Sequence, residues 1–204
     1  CYKGWVRVVD EDQGPSYVMN EGDCVLQPPQ IRHQVLECAP GLEVVEITCP
    51  AEHETYTADD FLLPSPELNS ERSFFGQRFI RHESGHATWN TSWLPGFECR
   101  DTSISKGSAN FADVHVLRQA KKSGAFLHSH VGDLSFFFLL KGGMTLHVAG
   151  QRDARLGEAD AFVIPAGLNF AFFDSTDGLE LLEVTLPGQT QFKRHSSMPS
   201  PVSR

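Results

Sequence analysis

Two stretches of the chain, "EGDCVLQPPQIRHQVLECAPGLEVVEITCP" (Glu21–Pro50) and "EADAFVIPAGLNFAFFDSTDGLELLEVTLP" (Glu158–Pro187), align without a gap and are identical at nine positions. Among the identities are Asp23/Asp160, Pro28/Pro165, Gly41/Gly178, Glu46/Glu183 and Pro50/Pro187. A spacing of 137 residues is too long for a solenoid or propeller repeat and is about the size of one domain. The chain therefore reads as a tandem duplication, and any fold proposed for it must serve twice. "KGWVRV" at Lys3–Val8 extends the match to "KGGMTL" at Lys141–Leu146. Roughly 70 residues from Phe74 to Leu140, which precede that point in the second copy, have no counterpart ahead of the first. The expectation is that the first unit is present only as its later half.

Periodicity gives the fold class. Short runs rich in Val, Ile, Phe and Leu ("WVRVV", "CVLQ", "HQVLE", "LEVVEIT", "DVHVLR", "FFFLL", "MTLHV", "AFVI", "FAFF", "LELLEVT") alternate with clusters of Gly, Pro, Asp and Asn. Many short strands with frequent turns predict an antiparallel sandwich or barrel, and no long amphipathic helix is present in the pattern. The expected organisation is a half unit over 1–49, a polar, proline-bearing crossover over 50–72, a complete unit over 73–187 and a Ser/Pro-rich tail over 188–204.

Charge and cysteine content narrow the partners. A net charge of −9 without a Lys/Arg run argues against a nucleic-acid groove or an anionic membrane as the main partner. A small-molecule substrate is the better reading, with a homo-oligomer left open. Five cysteines, Cys1, Cys24, Cys38, Cys49 and Cys99, show no close spacing. They indicate neither a disulfide framework nor a thiolate zinc site, so a reduced, cytoplasmic setting is expected. No apolar run reaches the ~20 residues a membrane helix needs.

The chemistry-bearing feature is "HSH" in "GAFLHSHVGDLSFFFLLKGG". On a strand alternate side chains share a face, so His128 and His130 project the same way and can reach one metal ion. Two polar residues at a strand end give the same spelling, and the spacing alone does not separate the two. His115 and His147 also lie on predicted strands, where an inward-facing imidazole could substitute as a ligand.

These residues resemble the two motifs of the cupin superfamily. "HSHVGDLSFFFLLKG" is similar to the first, a His-X-His followed by Glu, and "GDCVLQPPQIRH" (Gly22–His33) to the second, a Gly, a Pro-X-Gly and a His. Gly22, Pro28 and His33 hold the spacing, with Gln30 in place of the second Gly. In the other copy Pro165 and Gly167 remain, Ala159 stands for the first Gly and Phe170 for the His. The resemblance implies an all-β fold of two antiparallel β-sandwich barrels of the double-stranded β-helix, or jelly-roll, type, the first incomplete.

It also implies a divalent transition metal, iron first, with manganese, nickel, copper or zinc open. By the resemblance His33 is a ligand of the first unit and His128 and His130 are ligands of the second. There the Glu position falls on Ser135. Asp133 has the same strand parity as Ser135 and would restore a two-His, one-carboxylate set if the strand began early; beside Gly132 it reads equally as a turn residue, and turn chemistry favours that. Glu37 shares the face of His33 and is the candidate proton acceptor near a metal. The implied function is a metal-dependent enzyme acting on a small organic acid, aromatic compound or sugar derivative, with dioxygenase chemistry favoured. The alternative is a non-enzymatic binding or structural protein in which the histidines are vestigial.

Overall fold

The computed structural model describes residues 1–54, 56–57 and 62–197, and the chain divides into two compact units, Cys1–Ala87 and Thr88–Arg204. The first contains β1 (Trp5–Asp10), β2 (Tyr17–Asn20), β3 (Cys24–Leu26), β4 (His33–Cys38), β5 (Ser73–Phe74), β6 (Gln77–Arg78) and β7 (Ile80–His82). The second contains β8 (Asn90–Thr91), β9 (Phe97–Asp101), the one-turn helix α1 (Ile104–Gly107), β10 (Asp113–Gln119), β11 (Phe126–His130), β12 (Leu134–Lys141) and β13 (Met144–Val148). It continues with β14 (Ala154–Leu156), β15 (Ala161–Val163), β16 (Phe170–Phe173), β17 (Glu180–Leu186) and β18 (Phe192–Ser197).

The second unit has two antiparallel sheets, β15-β12-β17-β10-β9-β8 and β14-β13-β16-β11-β18. The eight strands β10 to β17 form the two four-stranded halves of a jelly roll, each sheet alternating early and late strands as a double Greek key requires. Nearly all antiparallel strand and a single short helix is the architecture that the turn-punctuated pattern predicts. Between the sheets lies one apolar core. Leu117, Phe137, Leu139 and Leu181 come from one sheet, and Met144, Leu146, Val148 and Phe170 from the other. Phe137 meets Phe172 edge-on at 5.4 Å between ring centroids and Phe162 in a stack at 5.1 Å, so aromatic contacts fill the space.

The duplication is structural as well as textual. In the first unit β2-β1-β4 repeats the order β14-β13-β16. The turn after Pro28, closed by Ile31 N–H donating to the Pro28 carbonyl at 3.2 Å, matches the turn after Pro165, closed by Leu168 N–H at 3.3 Å. Gln30 and Gly167 occupy equivalent places in these turns with φ of 64° and 77°, and Gly22 and Ala159 with 87° and 67°. Both departures from the glycine pattern thus keep the left-handed backbone, which the turn imposes at some cost to a residue bearing a Cβ.

Three expectations are corrected. "LEVVEIT" is not a strand: its counterpart β17 lies between β12 and β10, whereas among the described residues the pairing of the Leu42–Pro50 stretch is the single Lys3–Glu43 bridge. The division between units falls after Ala87 and not within 50–72, because Ile80–His82 pairs with β3 of the first unit. Thr55 and residues 58–61 of the expected crossover lie outside the described residues. Finally, the segment from 188 is not simply a tail, since β18 pairs with the His-bearing β11; only 198–204 lies outside the described residues. Cys38, Cys49 and Cys99 are free thiols. Among the described residues no helix is long and apolar enough to cross a membrane.

The turn between β11 and β12 depends on a missing Cβ. A side chain at Gly132 would come 2.8 Å from the Leu186 carbonyl oxygen and 2.7 Å from Thr190 Cγ2, whereas one at Gly157 would meet nothing within 4 Å. Gly132→Ala is expected to destabilise the protein by about 1–3 kcal/mol, the usual cost of overpacking, and Gly157→Ala to be near neutral. Chemical denaturation of the two variants measures the difference, and equal midpoints would refute this account of the turn.

Candidate functional site

Register across the central strands arranges the inward face in rungs, because directly paired residues share a face. One rung is Leu139–Leu181–Leu117–Cys99, wholly apolar but for the thiol. The next is Phe137–Glu183–His115–Asp101, and the third is Ser135–Thr185–Asp113. This face therefore changes within two rungs from aliphatic packing to a group of three carboxylates around one imidazole, with Glu183 buried, Asp113 and His115 half-buried and Asp101 exposed.

That group is connected. Glu183, only 2% exposed, accepts a hydrogen bond from Trp93 Nε1–H at 2.8 Å, and its other oxygen lies 3.3 Å from His115 Nδ1. On the far side of the ring, His115 Nε2 is 3.6 Å from Asp113 Oδ2. Asp101, His115 and Asp113 each offer one ligand atom, all within 4.8 Å of one another. Asp101 is held in turn by Ser103 N–H at 2.6 Å. A pocket of about 310 Å³ opens beside them, lined by Trp93, His115, Glu183, Thr185, Thr190 and Phe192 together with Gly188 and Gln191. One wall is fixed by Trp93 stacking on Phe192, with centroids 3.8 Å apart and planes 5° from parallel.

The electrostatics reflect crowded negative charge. Burial raises the Asp113 pKa, with Asp101 and Glu183 adding to the rise and the adjacent His115 opposing it. Burial alone would lower the pKa of His115, but the hydrogen bond to Glu183 and the charges of Asp113, Glu183 and Asp101 together raise it. Cys99 is pushed up to about 12, by burial first and then by Glu183, Asp101 and Asp113, so it remains a thiol and no thiolate ligand.

The residues singled out in the sequence occupy different surroundings. His128 and His130 do share the inward face of β11 and are 2% and 1% exposed. His130 Nε2 is engaged by the Ile164 carbonyl at 2.8 Å. His128 lies 5.2 Å from the Trp93 ring and 6.1 Å from Phe170, centroid to centroid. Both nitrogens of His128, Nδ1 of His130 and the Ser135 hydroxyl are buried without a hydrogen-bond partner. The implied four-ligand cupin centre does not fit this set. Two donors fall on Ser135 and Phe170, and one of the remaining imidazoles is tied to a carbonyl through Nε2.

Asp133 is an exposed bend residue ahead of β12, the turn reading of the two left open. His33 heads the fully exposed strand β4, paired with Asp10, at the place Phe170 holds at the start of β16. Glu37 is exposed and ion-paired to Arg7 at 3.3 Å. Among the described residues, no group of three ligand-type side chains includes His33, His128, His130 or Asp133. His147 turns outward and pairs with Asp153 at 2.7 Å. Of these two, His115 is the one that meets the buried Glu183.

Sequence reading missed Asp101, Asp113, Glu183 and Trp93. Glu183 carried a signal, its identity with Glu46 in the repeat; Asp113 and His115 carried another, a shared strand face. Asp101 and Trp93 had none, because only the β9–β10 register and the loop before β9 bring them in.

Burial holds the imidazole of His128 down at about 4, with Arg194 and His195 adding to the drop and the Phe126 backbone opposing it. In the unfolded chain the ring titrates near its ordinary ~6.5, so the unfolded state binds the extra proton between these values. Stability contributed by a neutral His128 is therefore complete above pH ~6.5 and lost as pH falls toward 4, up to about 3 kcal/mol. Comparing wild type with His128→Phe by denaturation from pH 7 to 4 should show the wild-type loss shrinking in the variant. Parallel curves would exclude the effect.

No family model matches the sequence, and comparison with curated proteins gives no match. Among solved structures, the chain is similar to salicylate 1,2-dioxygenase from Pseudoaminobacter salicylatoxidans at 14% identity and TM-score 0.42, covering 52% of this chain and 30% of that one. KdgF from Halomonas sp. gives 14% identity and TM-score 0.46, covering 53% and 94%. A Streptomyces PAC13 variant with uridine gives 10% and 0.44, covering 58% and 92%. The chain thus spans less than a third of the dioxygenase. Likeness at this level fixes neither activity nor substrate. The fold stands on the strand order itself: the second unit is an antiparallel β jelly roll.

Proposed function

We propose that the second unit is a divalent-cation site for a small oxygen-bearing molecule, with the ion held by Asp101, Asp113 and His115 and the molecule in the adjoining pocket. The observation that carries this reading is the convergence of the three ligand atoms within 4.8 Å, at a pocket of about 310 Å³. Two carboxylates and one imidazole suit Mn²⁺, Fe²⁺ or Mg²⁺ better than softer ions. A bound ion there supplies Lewis-acid polarisation of a ligand oxygen, and with a redox-active ion the site would meet the first need of the dioxygenase chemistry implied by the motif resemblance.

Charge selects the ligand class. With a divalent ion and neutral His115, the carboxylates of Asp101, Asp113 and Glu183 leave the site with a surplus of one negative charge, and no Lys or Arg lines the pocket. A neutral, hydroxyl-bearing compound is favoured over a carboxylate or phosphate, whose desolvated charge would find no partner besides the ion. Thr185 and Gln191 can hydrogen-bond hydroxyls, the Trp93–Phe192 pair gives an apolar flank, and Glu183 is committed to Trp93 and His115.

Mn²⁺ titration monitored by calorimetry is the direct test. His115→Ala and Asp113→Asn are each expected to weaken binding at least tenfold, and the His128→Ala/His130→Ala double variant to leave it within about threefold. If the double variant abolishes Mn²⁺ binding while His115→Ala does not, the ion belongs on β11 and this reading is wrong. In the Mn²⁺-loaded protein, Trp93 fluorescence should respond to cis-1,2-cyclohexanediol at lower concentration than to cyclohexanecarboxylate; the reverse order would overturn the ligand class.

A further inference from the structure

We propose that Trp93 and Glu183 act together as positioning residues that fix the tautomer of His115, so that Nε2 is the unprotonated nitrogen turned toward Asp101 and Asp113. This rests on the cation reading above, but its central claim concerns the metal-free protein. Glu183 has two oxygens and each has one neighbour. Trp93 Nε1–H donates to Oε1 at 2.8 Å, and His115 Nδ1 lies 3.3 Å from Oε2. Indole is a donor only, so it holds an acceptor oxygen in place and cannot exchange roles. The remaining oxygen can only accept, and neutral His115 satisfies it by carrying its proton on Nδ1. The lone pair is then on Nε2, whose 3.6 Å separation from Asp113 Oδ2 is too long for an N–H···O bond, unlike the 3.3 Å contact of Nδ1 with Glu183.

The clamp is rigid. Trp93 is stacked on Phe192 and meets His128 edge-on, and Glu183 is buried on β17, where it pairs in register with Phe137 on one side and His115 on the other. A buried carboxylate could instead serve only to satisfy the indole N–H. The two roles differ in what an amide would do in its place.

Glu183→Gln separates them. If Trp93 N–H retains the amide oxygen, the amide NH₂ must face His115 Nδ1, which becomes an acceptor, and the proton moves to Nε2, blocking the ligand nitrogen. Adding Trp93→Phe removes the indole donor and frees the amide to rotate its oxygen toward Nδ1–H. The first change should therefore switch the tautomer and the second should switch it back. By contrast, a purely packing role predicts that the double variant is at least as impaired as the single.

The experiment is ¹⁵N NMR of imidazole-labelled, metal-free protein at a pH where His115 is neutral, with its signals assigned by their loss in His115→Asn. Mn²⁺ affinity is measured in parallel. Wild type and Trp93→Phe should carry the proton on Nδ1. Glu183→Gln should carry it on Nε2 and bind Mn²⁺ roughly 10–100-fold more weakly. The Trp93→Phe/Glu183→Gln protein should return to Nδ1–H and recover most of the affinity. An Nδ1–H tautomer in Glu183→Gln, or a double variant no better than Glu183→Gln, overturns the proposal. If wild type binds no Mn²⁺ while the tautomers switch as described, the cation reading falls and the positioning relay stands.

Discussion

The position of β17, hydrogen-bonded to β12 on one side and β10 on the other, underlies most of what the second unit does. Its register sets Leu181 against Leu139 and Leu117, and two residues later sets Glu183 against Phe137 and His115. A slip of one residue would turn both outward, so the apolar rung that anchors the strand also fixes the carboxylate. Full burial of each large apolar side chain in that core contributes on the order of 1.5–3 kcal/mol, more than a typical net hydrogen bond of roughly 1 kcal/mol. The polar rungs are thus placed by packing and then connected by hydrogen bonds.

The same interior treats two sets of histidines differently. His115 gains from its neighbours: carboxylates on β9, β10 and β17 surround it, and one of them is itself held by an indole. His128 faces Trp93 and Phe170, with both nitrogens unpartnered, and burial keeps it neutral. Buried Phe170, paired in register with His128, stands where the implied set would carry its third imidazole. Where two nitrogens face an apolar wall and three oxygens gather on the opposite sheet around a third imidazole, charge and donor count both favour the second place.

The duplicated stretch shows how far turn chemistry outlasts sequence identity. Gln30 and Ala159 each replace a glycine of the motif, yet both keep a left-handed φ, because the turn before β4 or β16 and the turn before β3 or β15 need it. The Leu42–Pro50 stretch shows the limit. It shares six identities with the β17 region, from Gly41 to Pro50, but a strand is a property of its neighbours. Among the described residues no strand pairs with it, and the pattern forms one bridge, Lys3–Glu43.

The sequence by itself determined the class of fold and the repetition: alternating apolar residues and turn formers dictate short antiparallel strands locally, and the aligned stretches declare two related units. It also put His128 and His130 on one face, which follows from strand period alone, while packing turned that face inward. What only the tertiary structure decided is which chemistry-bearing groups meet. Asp101, Asp113, His115 and Glu183 are brought into one cluster by pairing among β9, β10 and β17, and Trp93 by the loop before β9, contacts that span up to 90 residues. Strand order and register settle those neighbours through the packing of the whole core, and no local spacing of residue types records them.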